Sequence, residues 1–259
     1  MSPIVLIRRP LQAISLLTRL PVRVRWEEGL RWGSFAGCFP LAGWVVGAIL
    51  FLPAWMRLRL APDGGVPWPG PLATAALLLG LWAWATGALH LDGWADTCDG
   101  CFTAASREKR LAIMADPRLG GFGVTGLSLF LLLKFAATAS LSGIATASAP
   151  PFALLAAPVA ARWGATIALC RTSVPLANPA GMAARMREGL TTFQPILATL
   201  FLAPLFLLDP RTAAIAVLAS LGTTTALLAF AKRQLGGITG DILGAIIELS
   251  EAATLLVAA

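Results

Sequence analysis

Runs of about 20 apolar residues, free of charge, alternate along this chain with short basic or glycine-rich intervals. They centre on residues 34–56, 71–91, 122–145, 151–170, 191–208, 212–230 and 242–259. At 1.5 Å per residue a helix of that length matches the hydrocarbon thickness of a bilayer. The pattern predicts an all-α, polytopic transmembrane helix bundle of about seven spans. The opening segment MSPIVLIRRPLQAISLLTRLPV differs, because Arg8, Arg9, Pro10 and Arg19 interrupt its apolar run. It suits an N-terminal interfacial helix better than a span or a cleaved signal peptide. No repeat, linker or low-complexity stretch divides the chain, so residues 1–259 read as one integral membrane domain.

Of the 259 residues 57% are hydrophobic and 13% charged, which excludes an ordinary soluble domain. The formal net charge of +7 is mostly a topology signal. With seven spans, Arg8, Arg9, Arg107, Lys109, Lys232 and Arg233 share one side with most other basic residues, against Arg57, Arg59 and Arg211 opposite. That asymmetry puts the N-terminus in the cytoplasm and the C-terminus outside. Lys134 and Arg162 fall inside spans. Nucleic acid is excluded as a partner, since no basic stretch alternates with aromatics. Cys98 and Cys101 form a lone CxxC and His90 is the only histidine, too few soft ligands for zinc, so the cysteines read as packing residues.

The chemistry concentrates in two acidic motifs. HLDGWADTCDG, residues 90–100, spaces Asp92, Asp96 and Asp99 at i, i+4 and i+7, one stripe of a helix turning roughly 100° per residue. Three anions so close repel one another, a cost normally offset by a divalent cation on oxygen ligands. Near the far end, GGITGDILGAIIELSE places Asp241, Gly244, Glu248 and Glu251 along a second face, and Gly236, Gly237 and Gly240 open a backbone loop before it. Intramembrane carboxylates are costly and point to function, although Glu248 and Glu251 can instead pair with Lys134 or Arg162. Two acid-rich, histidine-poor stripes suit Mg²⁺ bridging a diphosphate. Between them, Ser106 caps a short basic helix that Pro117 ends before Arg118, Gly120 and Gly121, an arginine and glycine turn fit for phosphate oxygens. The metal set expected is Asp92, Asp96, Asp99, Asp241 and Glu248; Arg110, Arg118, Gly120, Gly237 and Thr239 are the expected contacts to the phosphates. Asp99 or Asp241 is the candidate proton acceptor, and His90, turned to the opposite face from Asp92, reads more readily as a packing residue.

These two motifs, with REKRLAIMADPRLG between them and with LTRLPV and FPLAGWVVGA near the N-terminus, closely resemble the membrane cobalamin synthases, the adenosylcobinamide-GDP ribazoletransferases. The resemblance covers nearly the whole chain. It implies a bacterial cytoplasmic membrane enzyme, its site facing the cytoplasm, that joins adenosylcobinamide-GDP to α-ribazole or its 5'-phosphate, releases GMP and requires Mg²⁺. By the same resemblance the attacking group is the ribazole 3'-hydroxyl; the catalytic residues expected from the acidic motifs are Asp92, Asp96, Asp99 and Asp241. Ala115 and Pro117 stand where relatives usually carry a basic and a hydroxyl residue, and LANPAGMAARMREG, 176–189, departs from the family's acidic GLG turn. Three other classes use similar residues. A membrane prenyltransferase would release inorganic diphosphate; a CDP-alcohol phosphotransferase needs an aspartate spacing absent here; a transporter would run protons past Asp92, Asp241 and Glu248.

Overall fold

The computed structural model describes residues 3–26, 29–60, 69–146, 151–171 and 173–259, with side chains from Arg8 onward. Among these residues the chain is helical, joined by turns and by an isolated parallel bridge between Leu176 and Ile238. In order the helices are α1 (Pro3–Leu17), a 3-10 turn (Trp32–Cys38), α2 (Phe39–Arg59), α3 (Pro71–Thr86), α4 (Leu89–Phe102) and α5 (Arg107–Met114). Then follow α6 (Gly121–Ile144), α7 (Ala153–Cys170), α8 (Met182–Arg187), α9 (Phe193–Leu200), α10 (Ala203–Leu208), α11 (Pro210–Leu235) and α12 (Gly240–Ala258).

All seven apolar runs are helical, and among the described residues four helices are long and apolar enough to cross a membrane alone: Trp32–Arg59, α6, α7 and α11. The pair α3 and α4 makes a fifth candidate, bent by 92°. The bend has a local cause. Gly87 (φ 62°) and Ala88 (φ 58°) both take the left-handed conformation, so the chain leaves α3 and restarts at a right angle. Run 191–208 is divided between α9 and α10, and α12, at 19 residues, carries three acidic side chains. The protein is thus an integral membrane helix bundle, with four or five candidate crossings among the described residues by length and composition.

Small residues set the centre of the bundle. In α7 89% of the apolar window is buried, against 28% in α11 and 33% in α6, so α7 faces protein all round while the other two keep an exposed apolar flank. A Cβ on Gly43 would lie 2.4 Å from the Pro158 carbonyl oxygen, and one on Gly47 2.7 Å from that of Leu155, so α2 and α7 meet backbone to backbone. The same device joins α4 to α12: a Cβ on Gly93 would lie 3.0 Å from Asp241 Cα, and one on Gly244 3.2 Å from the His90 oxygen. These contacts lock together the two helices that carry the acidic motifs.

Lower on α12 the charges are paired. Lys134 Nζ on α6 donates to Glu248 Oε2 and Glu251 Oε2, each at 2.7 Å, and sits 3.9 Å from the centre of the Trp82 ring. Arg162 Nη1 on α7 donates to Glu251 Oε1 at 2.6 Å. Two cations and two anions balance, all four side chains at least 96% buried. Glu248 is therefore not a metal ligand as the sequence suggested: its carboxylate is held by Lys134, the pairing alternative, and a buried anion left without that cation would be prohibitively costly.

Candidate active site

Three adjoining cavities open around the start of α4 and the start of α12. The first, of about 290 Å³, is walled by α1, α2, α8 and α12 and includes Leu17, Phe39, His90, Asp92, Met186 and Asp241. The second, of about 390 Å³, lies between α4, α6 and the turn before α6, and includes Asp92, Asp96, Asp116, Pro117 and Leu119. The third, of about 160 Å³, includes Asn178, Met182, Thr239 and Asp241. Asp92 borders the first two and Asp241 the first and third. The right-angle turn at Gly87–Ala88 is what aims the first turn of α4, and Asp92 with it, into this space.

Asp92 is exposed and Asp96 and Asp241 are half-buried. The charges of Asp92, Asp241 and Asp99 all act on Asp96, so the two acidic motifs meet although about 140 residues of chain separate them. Among the described residues no lysine or arginine pairs with Asp92, Asp96 or Asp241. Nor do three metal-ligating side chains there come together as a preformed centre. Mg²⁺ takes only one or two carboxylates when substrate phosphates and water complete its octahedron, so this open, unpaired set fits an ion that arrives with a diphosphate. It does not fit an all-protein cage.

Several expected contacts have other employment. Asp99 is buried and accepts from the backbone N–H groups of Gly120 and Gly123, both at 2.7 Å, capping α6. Both its oxygens already accept a backbone N–H, so Asp99 serves here as the cap of α6, and the Gly120 N–H is not free for phosphate. Arg110 donates to Gln234 Oε1 and to the Ala105 carbonyl at 3.0 Å, tying α5 to α11 outside the cavities. Gly237 is needed for close approach, since a Cβ there would lie 2.3 Å from the Pro175 oxygen. That approach lets Ile238 donate its N–H to the Pro175 carbonyl at 2.9 Å and accept from the Ala177 N–H at 3.0 Å. Thr239 caps α12 by accepting from the Ile242 N–H at 3.2 Å, and it still lines the third cavity.

Arg118 remains available. Its side chain is 87% exposed beside the second cavity and clasps Asp116 through two bonds, Nε to Oδ1 at 2.9 Å and Nη2 to Oδ2 at 2.7 Å. That fork holds the Asp116 carboxyl well below the usual carboxylate range, at about 2, and a phosphate would compete for the same two donors.

Sequence reasoning missed the cavity walls. Leu16 and Leu17 of α1, Asn178, and Met182 and Met186 of α8 all border the site. The stretch NPAG before α8 is a turn signal that marks a loop but not what the loop closes over. Arg187 secures it, donating to the carbonyls of Leu169, Arg171 and Val174 at the end of α7.

Comparison with known proteins covers nearly the whole chain. The family model described as cobalamin-5-phosphate synthase matches residues 9–259. An adenosylcobinamide-GDP ribazoletransferase of Pseudomonas paraeruginosa is 39% identical over 250 residues, 95% of either chain. One of Shigella boydii is 37% identical over 94% of this chain and 96% of its own, and one of Geobacillus kaustophilus is 35% identical over 93% and 91%. No solved structure matches significantly. With nearly its full length matched, both acidic motifs included, this chain belongs to the cobalamin-5-phosphate synthase family.

Proposed function

We propose that this chain is a membrane transferase that moves the adenosylcobinamide phosphate group of adenosylcobinamide-GDP onto α-ribazole or its 5'-phosphate, with release of GMP. The observation that carries the proposal is the meeting of Asp92, Asp96 and Asp241 around shared cavities, in a chain whose relatives bear that name across nearly their full length. The reaction is a displacement at phosphorus. A ribazole hydroxyl oxygen forms a bond to the phosphorus bearing the corrinoid, the bond from that phosphorus to the bridging oxygen breaks, and GMP leaves with the electron pair. The hydroxyl proton passes to a carboxylate at the rim, a role for Asp241 through an oxygen that the cation leaves free.

Catalysis of such a displacement is mostly positioning and charge neutralisation. Asp92, Asp96 and Asp241 are the residues to hold Mg²⁺, which when bound reduces the charge on the diphosphate oxygens. Arg118, released from Asp116, adds a bidentate contact to the leaving phosphate. The working orientation puts this face of the bundle toward the cytoplasm of a bacterial inner membrane, with the basic residues of α5 (Arg107, Lys109, Arg110) and of the last turn of α11 (Lys232, Arg233).

Purified protein given adenosylcobinamide-GDP and α-ribazole should yield GMP and a complete corrinoid in equal amounts. Release of inorganic diphosphate, or proton flux with no nucleotide chemistry, would replace this reading with a prenyltransferase or a transporter.

A further inference from the structure

We infer that the third cavity seats the acceptor nucleoside, its ribose held by Asn178 and Thr239 beside Asp241. The inference rests on the ribazole reading above and adds where, and by which groups, the acceptor is bound.

The cavity is built by the parallel bridge between Leu176 and Ile238. Because Ile238 donates to Pro175 and accepts from Ala177, the residues that follow on either side, Asn178 and Thr239, stand together where α12 begins. Leu111 and Met114 of α5 and Met182 of α8 close the space with an apolar wall, and Met114 is itself packed on Gly100 of α4. Asn178, Thr239 and Asp241 supply the polar groups, and no lysine or arginine lines the cavity.

The three cavities differ in what they can hold. The first is lined by both Asp92 and Asp241 and takes the cation with the diphosphate. The second adds Asp96 and Asp116 beside Arg118, the side of the leaving GMP. The third shares Asp241 with the first and no residue with the second. Displacement at phosphorus needs the attacking and leaving oxygens roughly in line, and a hydroxyl presented past Asp241 enters from the end away from the second cavity. A phosphate chain finds no cation of the protein in the third cavity, whereas an uncharged nucleoside has a flat ring for the methionines and hydroxyls for the polar groups. At about 160 Å³ it is too small for a corrin and suits the sugar with the near edge of its base.

The hydrogen-bonding capacity matches a sugar. Asn178 Oδ1 accepts from the Ala180 N–H at 2.9 Å, which fixes the amide and leaves its NH₂ two hydrogens to donate. Thr239 Oγ1 accepts from the Ile242 N–H and keeps a second lone pair for a sugar O–H. Donor and acceptor thus flank the carboxylate that receives the hydroxyl proton.

The test is steady-state kinetics and equilibrium dialysis on the full chain in lipid nanodiscs, for wild type, Asn178→Ala, Asn178→Asp and Ala115→Leu. Losing the amide donor should raise the KM for α-ribazole about tenfold in Asn178→Ala and leave that for adenosylcobinamide-GDP within about twofold. Asn178→Asp keeps the oxygen that holds the Ala180 N–H but not the NH₂, so a merely structural role predicts wild-type nucleoside KM there and sugar binding predicts the same rise as in Asn178→Ala. Ala115, exposed at the end of α5, lines this cavity and neither of the others, and leucine there should raise the nucleoside KM at least threefold by filling it. Dialysis of labelled α-ribazole without donor should give the same order. Should the Asn178 variants fail to fold, Ala115→Leu decides, and the reverse. A nucleoside KM within twofold of wild type in any folded variant, or an equal rise for the donor, overturns the assignment while wild-type GMP release leaves the reaction standing. Should the wild type release no GMP, the reaction reading fails and dialysis alone judges the cavity: α-ribazole binding weakened in the folded variants supports it, and unchanged or absent binding overturns it.

Discussion

Helix α12 carries carboxylates in two settings that share a backbone and little else. Asp241, in its first turn, borders two cavities and has no basic partner among the described residues. Glu248 and Glu251, about 10 to 15 Å further along the axis, are locked to Lys134 and Arg162 in the dry interior. The first arrangement repels itself and so is primed for a cation from outside. The second is internally neutral, accepts nothing, and fixes α6, α7 and α12 against one another. Acidic residues in a membrane helix therefore divide by whether the fold itself supplies the counter-charge, and only those for which it does not are candidates for chemistry.

The largest effect that sharpens this contrast is on turnover. Asp92→Ala or Asp241→Ala should cut GMP release by at least about a hundredfold, while membrane insertion and melting temperature stay at wild-type values. Near-normal rates in either variant would dissolve the distinction. Next in size is the interior pairing. Lys134→Ala leaves two buried glutamates with one cation and should destabilise the protein by about 3 to 5 kcal/mol, read as a lower melting temperature or loss from the membrane. A stable, active Lys134→Ala protein would mean that this charge set is not structural.

Gly93→Ala tests the contact that brings the two acidic helices together. The added methyl meets Asp241 backbone at 3.0 Å, so α4 must retreat from α12, costing about 1 to 3 kcal/mol and lowering activity more than stability alone explains. The smallest effect belongs to the exposed Asp116–Arg118 fork. Because pairing depresses the folded-state carboxyl to about 2, its contribution is present above the ordinary aspartate range and is lost only as pH falls through about 2. Because the pair is exposed and screened by solvent, that contribution is small: Asp116→Asn should leave melting nearly unchanged between pH 5 and 8 and, by freeing Arg118, alter the donor KM less than about threefold.

Local signals in the sequence proved sound. Ser106 caps α5 by accepting from the Lys109 N–H at 3.4 Å, and the helix ends at Met114, ahead of Pro117. Asp92 and Asp96 do share a face, and that face does look onto the turn around Asp116 and Pro117. What periodicity could not supply was pairing across distance. The stripe continues to Asp99, but the partners that claim it, Gly120 and Gly123, lie 21 and 24 residues on. Glu248 meets Lys134 across 114 residues, a choice that hydropathy leaves open. Nor does apolar length alone register a left-handed pair such as Gly87–Ala88, which bends one run into two helices at right angles.

The most direct test of the central claim, that Asp92 and Asp241 together serve one cation-bound diphosphate, is a Mg²⁺ titration of GMP release in wild type, Asp92→Asn and Asp241→Asn. The account predicts no release from the wild type in chelator, and a half-saturating Mg²⁺ concentration raised at least tenfold in both variants, about the effect of one lost ligand. Equal Mg²⁺ dependence in all three proteins, or full wild-type activity in chelator, would contradict it.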